Sequence, residues 1–392
     1  MSGSFPWSAS HPFMTLQYDI ARLSGATWMA LGEALSSCQH LAGVPLKPGF
    51  AANLADVYLA RGVQATTAIE GNTLSDEEAL DIVQRGTADV SESRSYLERE
   101  VRNVLDAVRE IDRALVSRLA LPITLERLQQ LNAEILDGIP DKPEVVPGEL
   151  RLHNVGAGTY RAIDAAFVEQ AVAELVTWLE RMRGAVSTAS RAEDRFVTAI
   201  VTAILTHLYI AWIHPFGNGN GRTARLVEVQ ILSESGVVPV VATNLLSDHY
   251  NKTRNAYCRA LDAAQHDVNH FVTYAIRGFL DELREQLAGV RRENLSVHWE
   301  SYVYELFNRR PTSKARTRQR LLALQLPADR WVTPEEATEL TPGLARLYAL
   351  AGDRTPARDL NDLAKMGLAE KARRRYRARR SVIEAFLAPT TS

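Results

Sequence analysis

Eighteen consecutive residues without a charge, Phe196–Ile213 (FVTAIVTAILTHLYIAWI), run directly into a glycine-studded polar segment, His214–Arg225. A run of that length touches the lower limit for crossing a membrane. Three threonines and a histidine interrupt it, however, and Arg195 and the polar segment bound it closely. It reads as a helix buried on every side, and a helix apolar all round needs other helices to cover it. The predicted fold class is therefore mainly α around this helix, with no membrane span.

The rest of the sequence supports that expectation. Apolar residues fall at helical spacing over 16–40, 51–70, 97–117, 123–136, 165–183, 222–235, 247–263 and about 268–291. Pro45–Gly49, Pro140–Gly148, Gly184, Gly217–Gly221 and Gly236 mark breaks. Before residue 300 the only strand-like stretch is 150–163 (LRLHNVGAGTYRAI), where Gly156 and Gly158 would turn a short hairpin. At 392 residues, 46% hydrophobic and 23% charged, the chain reads as globular and long enough for two or three domains. Two cysteines, Cys38 and Cys258, exclude a disulfide framework or a structural zinc site and suit a reducing, cytoplasmic setting. The first residues (MSGSFPWSASHPF) lack the pattern of a secretory signal, so none is expected. The remaining histidines form no metal-ligand constellation, and His207 reads as a core residue.

The formal net charge of −2 conceals an asymmetry. Residues 291–392 hold 20 Lys and Arg against 12 Asp and Glu, a local +8, which leaves 25 against 35, or −10, before them. An acidic body precedes a basic tail, which implies divided labour and not one polyanion-binding surface over the whole chain. In the tail, Thr333-Pro334-Glu335-Glu336 supplies an N-cap, a first-turn proline and a capping-box glutamate. Thr355-Pro356 opens another helix that stops at Gly367. Leu368–Glu370 and Tyr376–Ala378 then read as two strands joined through Lys371–Arg375. Helix, helix and basic hairpin make the pattern of a winged helix-turn-helix.

The chemistry lies in His214-Pro215-Phe216-Gly217-Asn218-Gly219-Asn220-Gly221-Arg222-Thr223-Ala224-Arg225. A buried helix delivers a histidine to its end, a glycine turn follows, and a new helix starts near Gly221–Arg222. Backbone N–H groups at such a start converge on an anion. Arg222 and Arg225, three residues apart, share a helix face and can both reach a polyphosphate. A histidine at the mouth can take a proton near neutral pH. Base, anion cradle and cationic clamps describe a phosphate-transfer site.

This segment resembles the Fic family signature, HPFx[D/E]GNGRxxR, at every fixed position but one, and the resemblance extends over most of residues 15–290. It implies transfer of AMP from ATP to a hydroxyl of a target protein, with His214 as base. Gly219, Asn220 and Gly221 would form the anion hole, Arg222 would bind the phosphates and Arg225 the γ-phosphate, with Phe216 and Gly217 in the same nucleotide-binding loop. The departure is Asn218, where the family places an Asp or Glu that holds Mg2+ (or Mn2+). A neutral amide oxygen is a weaker ligand for a hard cation, so weakened metal use is expected. Gly221, where the phosphotransferase branch has lysine, argues against that branch.

Four further segments fit the resemblance. Thr66-Thr67-Ala68-Ile69-Glu70-Gly71 fits the family's inhibitory pattern, [S/T]xxxE[G/N], which implies that Glu70 competes with the γ-phosphate for Arg225. Pro147–Ala162 resembles the flap hairpin that aligns the target by strand addition. Tyr250 and Tyr257 fall in a stretch similar to the helix lining the adenine side, where core packing is the alternative. The tail resembles the winged helix appended to some Fic proteins. Thr355, Arg358 and Asn361 are its candidate DNA contacts, and a protein-interaction module is the open alternative.

The expected organisation is an N-terminal helical region with the inhibitory helix (1–120), the Fic core (121–290) and the winged helix (300–385). The expected function is an autoinhibited protein adenylyltransferase using ATP. The alternatives are a catalytically weak nucleotide sensor that regulates through DNA, or a Fic enzyme that uses another nucleotide or removes AMP. The expected partners are a target protein with a modifiable hydroxyl, DNA or a protein at the tail, and, by the family's habit of regulating through dimer contacts, a second copy of the chain.

Overall fold

The computed structural model describes residues 5–157, 160–309, 311 and 313–384. The chain divides into two compact units, Met1–Leu287 and Ala288–Ser392. The first boundary expected from sequence, at 120/121, does not separate two bodies. The N-terminal helices pack into the same unit as the core, and the one division falls at 287/288, beside the expected end of the core at 290.

The first unit opens with α1 (Gly25–Gly43), α2 (Pro48–Ala68), α3 (Asp76–Arg85) and α4 (Ser95–Val116). It continues through α5 (Leu125–Leu136), the hairpin β1 (Gly156–Ala157) and β2 (Tyr160–Arg161), and α6 (Val168–Thr188). The apolar run becomes α7 (Ala192–Ile213), with Glu193 and Asp194 complementing its N-terminal dipole. Fifteen of its residues are buried, as the sequence required. It lies between α6 and α8 (Asn220–Glu234), with α1 also against it. Helix α4 and helix α5 cover the other side of α8, and α2 reaches α8 as well. Elements distant in sequence thus converge on the start of α8.

The helix expected over 247–263 is two, α9 (Leu245–Lys252) and α10 (Arg254–Ala263). Thr253 leaves helical geometry (φ −118°, ψ 35°), its hydroxyl held by the His249 carbonyl at 2.7 Å and by the Tyr274 hydroxyl at 2.6 Å. Helix α11 (Val268–Asn308) runs well past the expected end at 291, because Trp299, Val303 and Phe307 continue its apolar face into a second core. The flap hairpin is two residues per strand, and Gly158 lies outside the described residues.

In the second unit, α12 (Lys314–Gln325), α13 (Pro334–Thr338), α14 (Pro342–Ala349) and α15 (Thr355–Lys365) precede the hairpin β3 (Ala369–Ala372) and β4 (Arg375–Ala378). The capping box forms between Thr333 and Glu336, and Gly367 ends α15 at φ 76°. Helices α12 and α14 were not anticipated. They pack with α15 around Leu322, Leu344, Leu360 and Leu363. Buried Asp359 fastens the helices, accepting from Arg318 Nε (2.7 Å), Gln319 Nε2 (3.0 Å) and the Tyr348 hydroxyl (3.0 Å). Residue 385, the last of the expected domain, lies outside the described residues.

Candidate active site

His214 caps the C-terminus of α7 in the left-handed region (φ 50°, ψ 61°), its N–H donating to the Ile210 carbonyl at 2.8 Å. A non-glycine residue there needs support from its surroundings. Arg151, buried at 3% exposure, supplies it. Its guanidinium donates to the carbonyls of His214 (2.7 Å), His153 (2.8 Å), Ile163 (2.6 Å) and Ile213 (3.3 Å). Its backbone N–H donates to Pro215 (2.9 Å), beside a Leu150–Phe216 bridge. A planar fork suits four carbonyls at once. In the sequence Arg151 is one residue of the stretch resembling the flap, and nothing local marks it as the support of His214.

The loop closes through Asn220. Its side-chain oxygen accepts the Phe216 N–H and its amide donates back to the Phe216 carbonyl, both at 2.9 Å. Gly219 caps α8 at φ 77°, and a Cβ there would meet Asn132 Nδ2 at 2.8 Å. Asn132, fully buried on α5, donates to the Asn218 carbonyl (2.9 Å) and accepts from Gly148 N–H (3.0 Å), which ties the loop to the strand side of the site. The first N–H groups of α8 have no intrahelical acceptors and are the donors an anion would take.

Arg225 is 1% exposed. Its Nη2 donates to Glu70 Oε1 (2.6 Å) and to the Thr66 carbonyl (2.9 Å), while Nε and Nη1 are buried without partners among the described residues. Unpartnered buried guanidinium nitrogens are costly. Arg222 faces elsewhere, held by Glu100 (2.5 Å) and Asn218 Oδ1 (3.2 Å). Glu100 also accepts from Asn72 (2.8 Å), and burial pushes its carboxyl above the usual range.

His214, Asn220, Gly221 and Arg225 line one cavity of about 450 Å3 with Glu70, Tyr160 and Tyr257. Burial holds the His214 imidazole below its ordinary value of 6.5, despite an opposing bond to the Ala211 backbone and the nearby Glu70 charge. It is therefore neutral, and basic, at pH 7. Of the two tyrosines expected at the nucleotide, Tyr257 lines this cavity and Tyr250 does not. Tyr250 is fully buried, stacked behind Tyr257 at 4.8 Å. Phe216 and Gly217 also stand outside the lining, Phe216 as a buried anchor of the loop.

Asn218 does not fit the metal expected there. Its Oδ1 already accepts from Gly219 N–H (2.6 Å) and Arg222 Nη2 (3.2 Å), and its Nδ2 donates to Asp141. Both lone-pair directions of the oxygen are taken. No group of three or more His, Cys, Asp or Glu side chains that could hold a metal occurs among the described residues.

The profile of the Fic/DOC family matches residues 122–232. Protein adenylyltransferase fic-1 of Caenorhabditis briggsae is 30% identical over 217 residues, 55% of this chain and 38% of that protein. Protein adenylyltransferase Fic of Nematostella vectensis is 28% identical over 215 residues, 54% of this chain and 45% of that one. The chain thus spans less than half the length of these relatives. A Fic family protein from Desulfovibrio desulfuricans G20 superposes with a TM-score of 0.54 at 20% identity, covering 92% of this chain and 97% of its own. Fic-1 of Caenorhabditis elegans gives 0.53 at 22%, covering 68% and 73%. At these identities the likeness is one of fold.

Proposed function

From the Fic/DOC domain that the chain carries at residues 122–232, we propose that it is an autoinhibited protein adenylyltransferase that moves AMP from ATP to a hydroxyl of a target protein. The observation that carries this reading is the cavity in which neutral His214, the start of α8 and the half-partnered Arg225 meet. His214 takes the proton of the target hydroxyl as its oxygen attacks the α-phosphorus. The bond from that phosphorus to the β-bridging oxygen breaks, and pyrophosphate leaves. The α8 N–H groups and Arg225 hold the charge that develops on the phosphates. Arg151 and Asn132 keep base and cradle in register without touching substrate. Because Asn218 has no open oxygen, no step is assigned to a metal ion.

Glu70 supplies the inhibition. Its carboxylate occupies Arg225 at 2.6 Å, where the γ-phosphate would bind. The flap residue Tyr160 donates from its hydroxyl to the Trp212 carbonyl at 2.7 Å, which anchors the hairpin beside His214 where a target segment would lie.

The tail supports a second, separate role. Lys371, Arg373, Arg374 and Arg375 of the hairpin, Arg379 just after it, and Arg354 and Arg358 at the start of α15 are exposed. That row suits a polyanion such as DNA and favours it over a protein partner. Asn361, a candidate base contact, is engaged internally, accepting from Lys371 Nζ (2.8 Å) and the Tyr376 hydroxyl (3.0 Å).

The deciding experiment is label transfer from α-32P-ATP by the Glu70→Gly protein in a cell lysate, with His214→Ala beside it. Labelled protein with the first and none with the second is expected. No label with either, while nucleotide still binds, would overturn the transferase reading in favour of a nucleotide sensor.

A further inference from the structure

Behind the cavity wall lies a chain of buried polar groups that the transfer chemistry leaves unused. Tyr257 lines the cavity, yet its hydroxyl turns inward, 2.8 Å from His207 Nε2. His207 Nδ1 is 2.9 Å from Glu228 Oε2, and Glu228 Oε1 accepts from the Tyr250 hydroxyl at 3.0 Å. His207 and Tyr250 are 0% exposed and Glu228 1%. Every polar atom of the His207 ring and of the Glu228 carboxylate is engaged, as a buried network must be. The rings are packed as well as bonded: Tyr250 stacks on Tyr257 at 4.8 Å, and His207 meets Tyr257 edge-on at 5.7 Å.

The helices explain why these residues meet at this place. His207 lies on α7 seven residues before the cap at His214, and Glu228 lies three after Arg225 on α8. Three residues keep Arg225 and Glu228 on one helix face. The two helices that present base and cation to the cavity thus present a histidine and a carboxylate beneath it. Tyr257, on α10, is the one member of the network that reaches the cavity.

We propose that His207 and Glu228 are positioning residues for the nucleotide. Acting through the Tyr257 hydroxyl, they hold the phenol ring as a fixed wall of the cavity beside Arg225. A ring tethered at its para position cannot turn into the cavity or withdraw from it. The nucleotide then meets a preorganised surface and does not have to order one. This rests on the nucleotide-binding reading above and adds to it the residues that shape the wall.

A double-mutant cycle on the full chain tests it, with ATP binding measured by calorimetry and transfer kinetics measured with every variant placed in the Glu70→Gly background. Tyr257→Phe removes only the hydroxyl and keeps the ring. His207→Gln and Glu228→Gln, the latter nearly isosteric, break the network from its far side. Each should weaken ATP binding by about fivefold to tenfold and raise KM by a similar factor, with kcat within about twofold. Tyr257→Phe combined with His207→Gln should be no worse than either alone, because both act through one hydroxyl. Multiplying losses in the double variant, or wild-type ATP affinity in Tyr257→Phe, would overturn the proposal. Should His207→Gln fail to fold, the Tyr257→Phe and Glu228→Gln pair completes the same cycle. Wild-type protein that binds no ATP would overturn the functional reading itself. Wild-type protein that binds ATP, with variants that bind it equally, would overturn only the positioning role.

Discussion

Glu70 Oε1 accepts a 2.6 Å hydrogen bond from Arg225 Nη2, and a Cβ added at Gly221 would collide with that same carboxylate. Glycine at 221 therefore makes room for the carboxylate as well as for an anion. Removing one partner of a buried pair leaves the other charge uncompensated, at a cost of about 3–5 kcal/mol where burial is complete. Glu70 is 32% exposed and Arg225 1%, so the cost falls mainly on the arginine.

Glu70→Gly should therefore lower the melting temperature while raising AMP transfer. ATP should recover more stability in Glu70→Gly than in wild type, because its phosphate fills an emptied site at Arg225. Thermal unfolding with and without ATP measures this. Equal ATP-induced shifts in the two proteins would contradict competition for Arg225.

Gly221→Ala should uncouple the same pair from the other side. Its helical position tolerates alanine, so the penalty is mainly the collision with Glu70, with Arg225 Nη1 and Nη2 as looser contacts at 3.0 and 3.2 Å. The variant should lose stability in the wild-type background and little in the Glu70→Gly background. Denaturant unfolding of the four proteins in this cycle measures the coupling.

Much of this was legible in sequence, because the site is built from contiguous residues. The uncharged run foretold α7, and His214–Arg225 foretold the turn and the start of α8. The rest depended on residues brought from afar. Arg151, Asn132, Glu100, the Tyr257 partner His207 and its own partner Glu228 act through bonds spanning 12 to 122 residues, which no local pattern encodes. Tyr250 and Tyr257 looked equivalent at a spacing of seven, but the break at Thr253 puts one behind the other. Helix α11 overran its predicted end because its later turns serve a different core.

The pH profile follows from the His214 environment. Its imidazole is held below 6.5 by burial, so the free base is present through neutral pH and is lost as pH falls through that lowered value. The kcat/KM of Glu70→Gly should be level from pH 7 to 8 and fall on acidification, with a midpoint below 6.5. A midpoint above 6.5 would mean that another group is the base.

Arg151→Lys tests whether the loop is held by a guanidinium fork. Lysine keeps the charge but cannot serve carbonyls at His214, His153, Ile163 and Ile213 together. Loss of about 2–3 kcal/mol of stability is expected from the carbonyls left unpaired. The rate should fall more than tenfold as His214 leaves its strained cap geometry. Nucleotide affinity should change less than the rate, because Arg151 does not line the cavity.

Asn218→Asp tests the motif's departure from the family pattern. The present side chain gives its oxygen to Gly219 and Arg222 and its amide nitrogen to Asp141. A carboxylate cannot donate to Asp141, and two like charges there repel by an amount that a divalent cation would cancel. Asn218→Asp should therefore be less stable than wild type without divalent ions and regain that stability with Mg2+ or Mn2+, while wild type shows no such dependence. In the Glu70→Gly background the same substitution should raise transfer and make it depend more steeply on Mg2+. Unfolding with and without Mg2+ separates the two effects, since the first requires no turnover. A carboxylate variant indifferent to divalent ions in both assays would show that position 218 does not direct metal use in this chain.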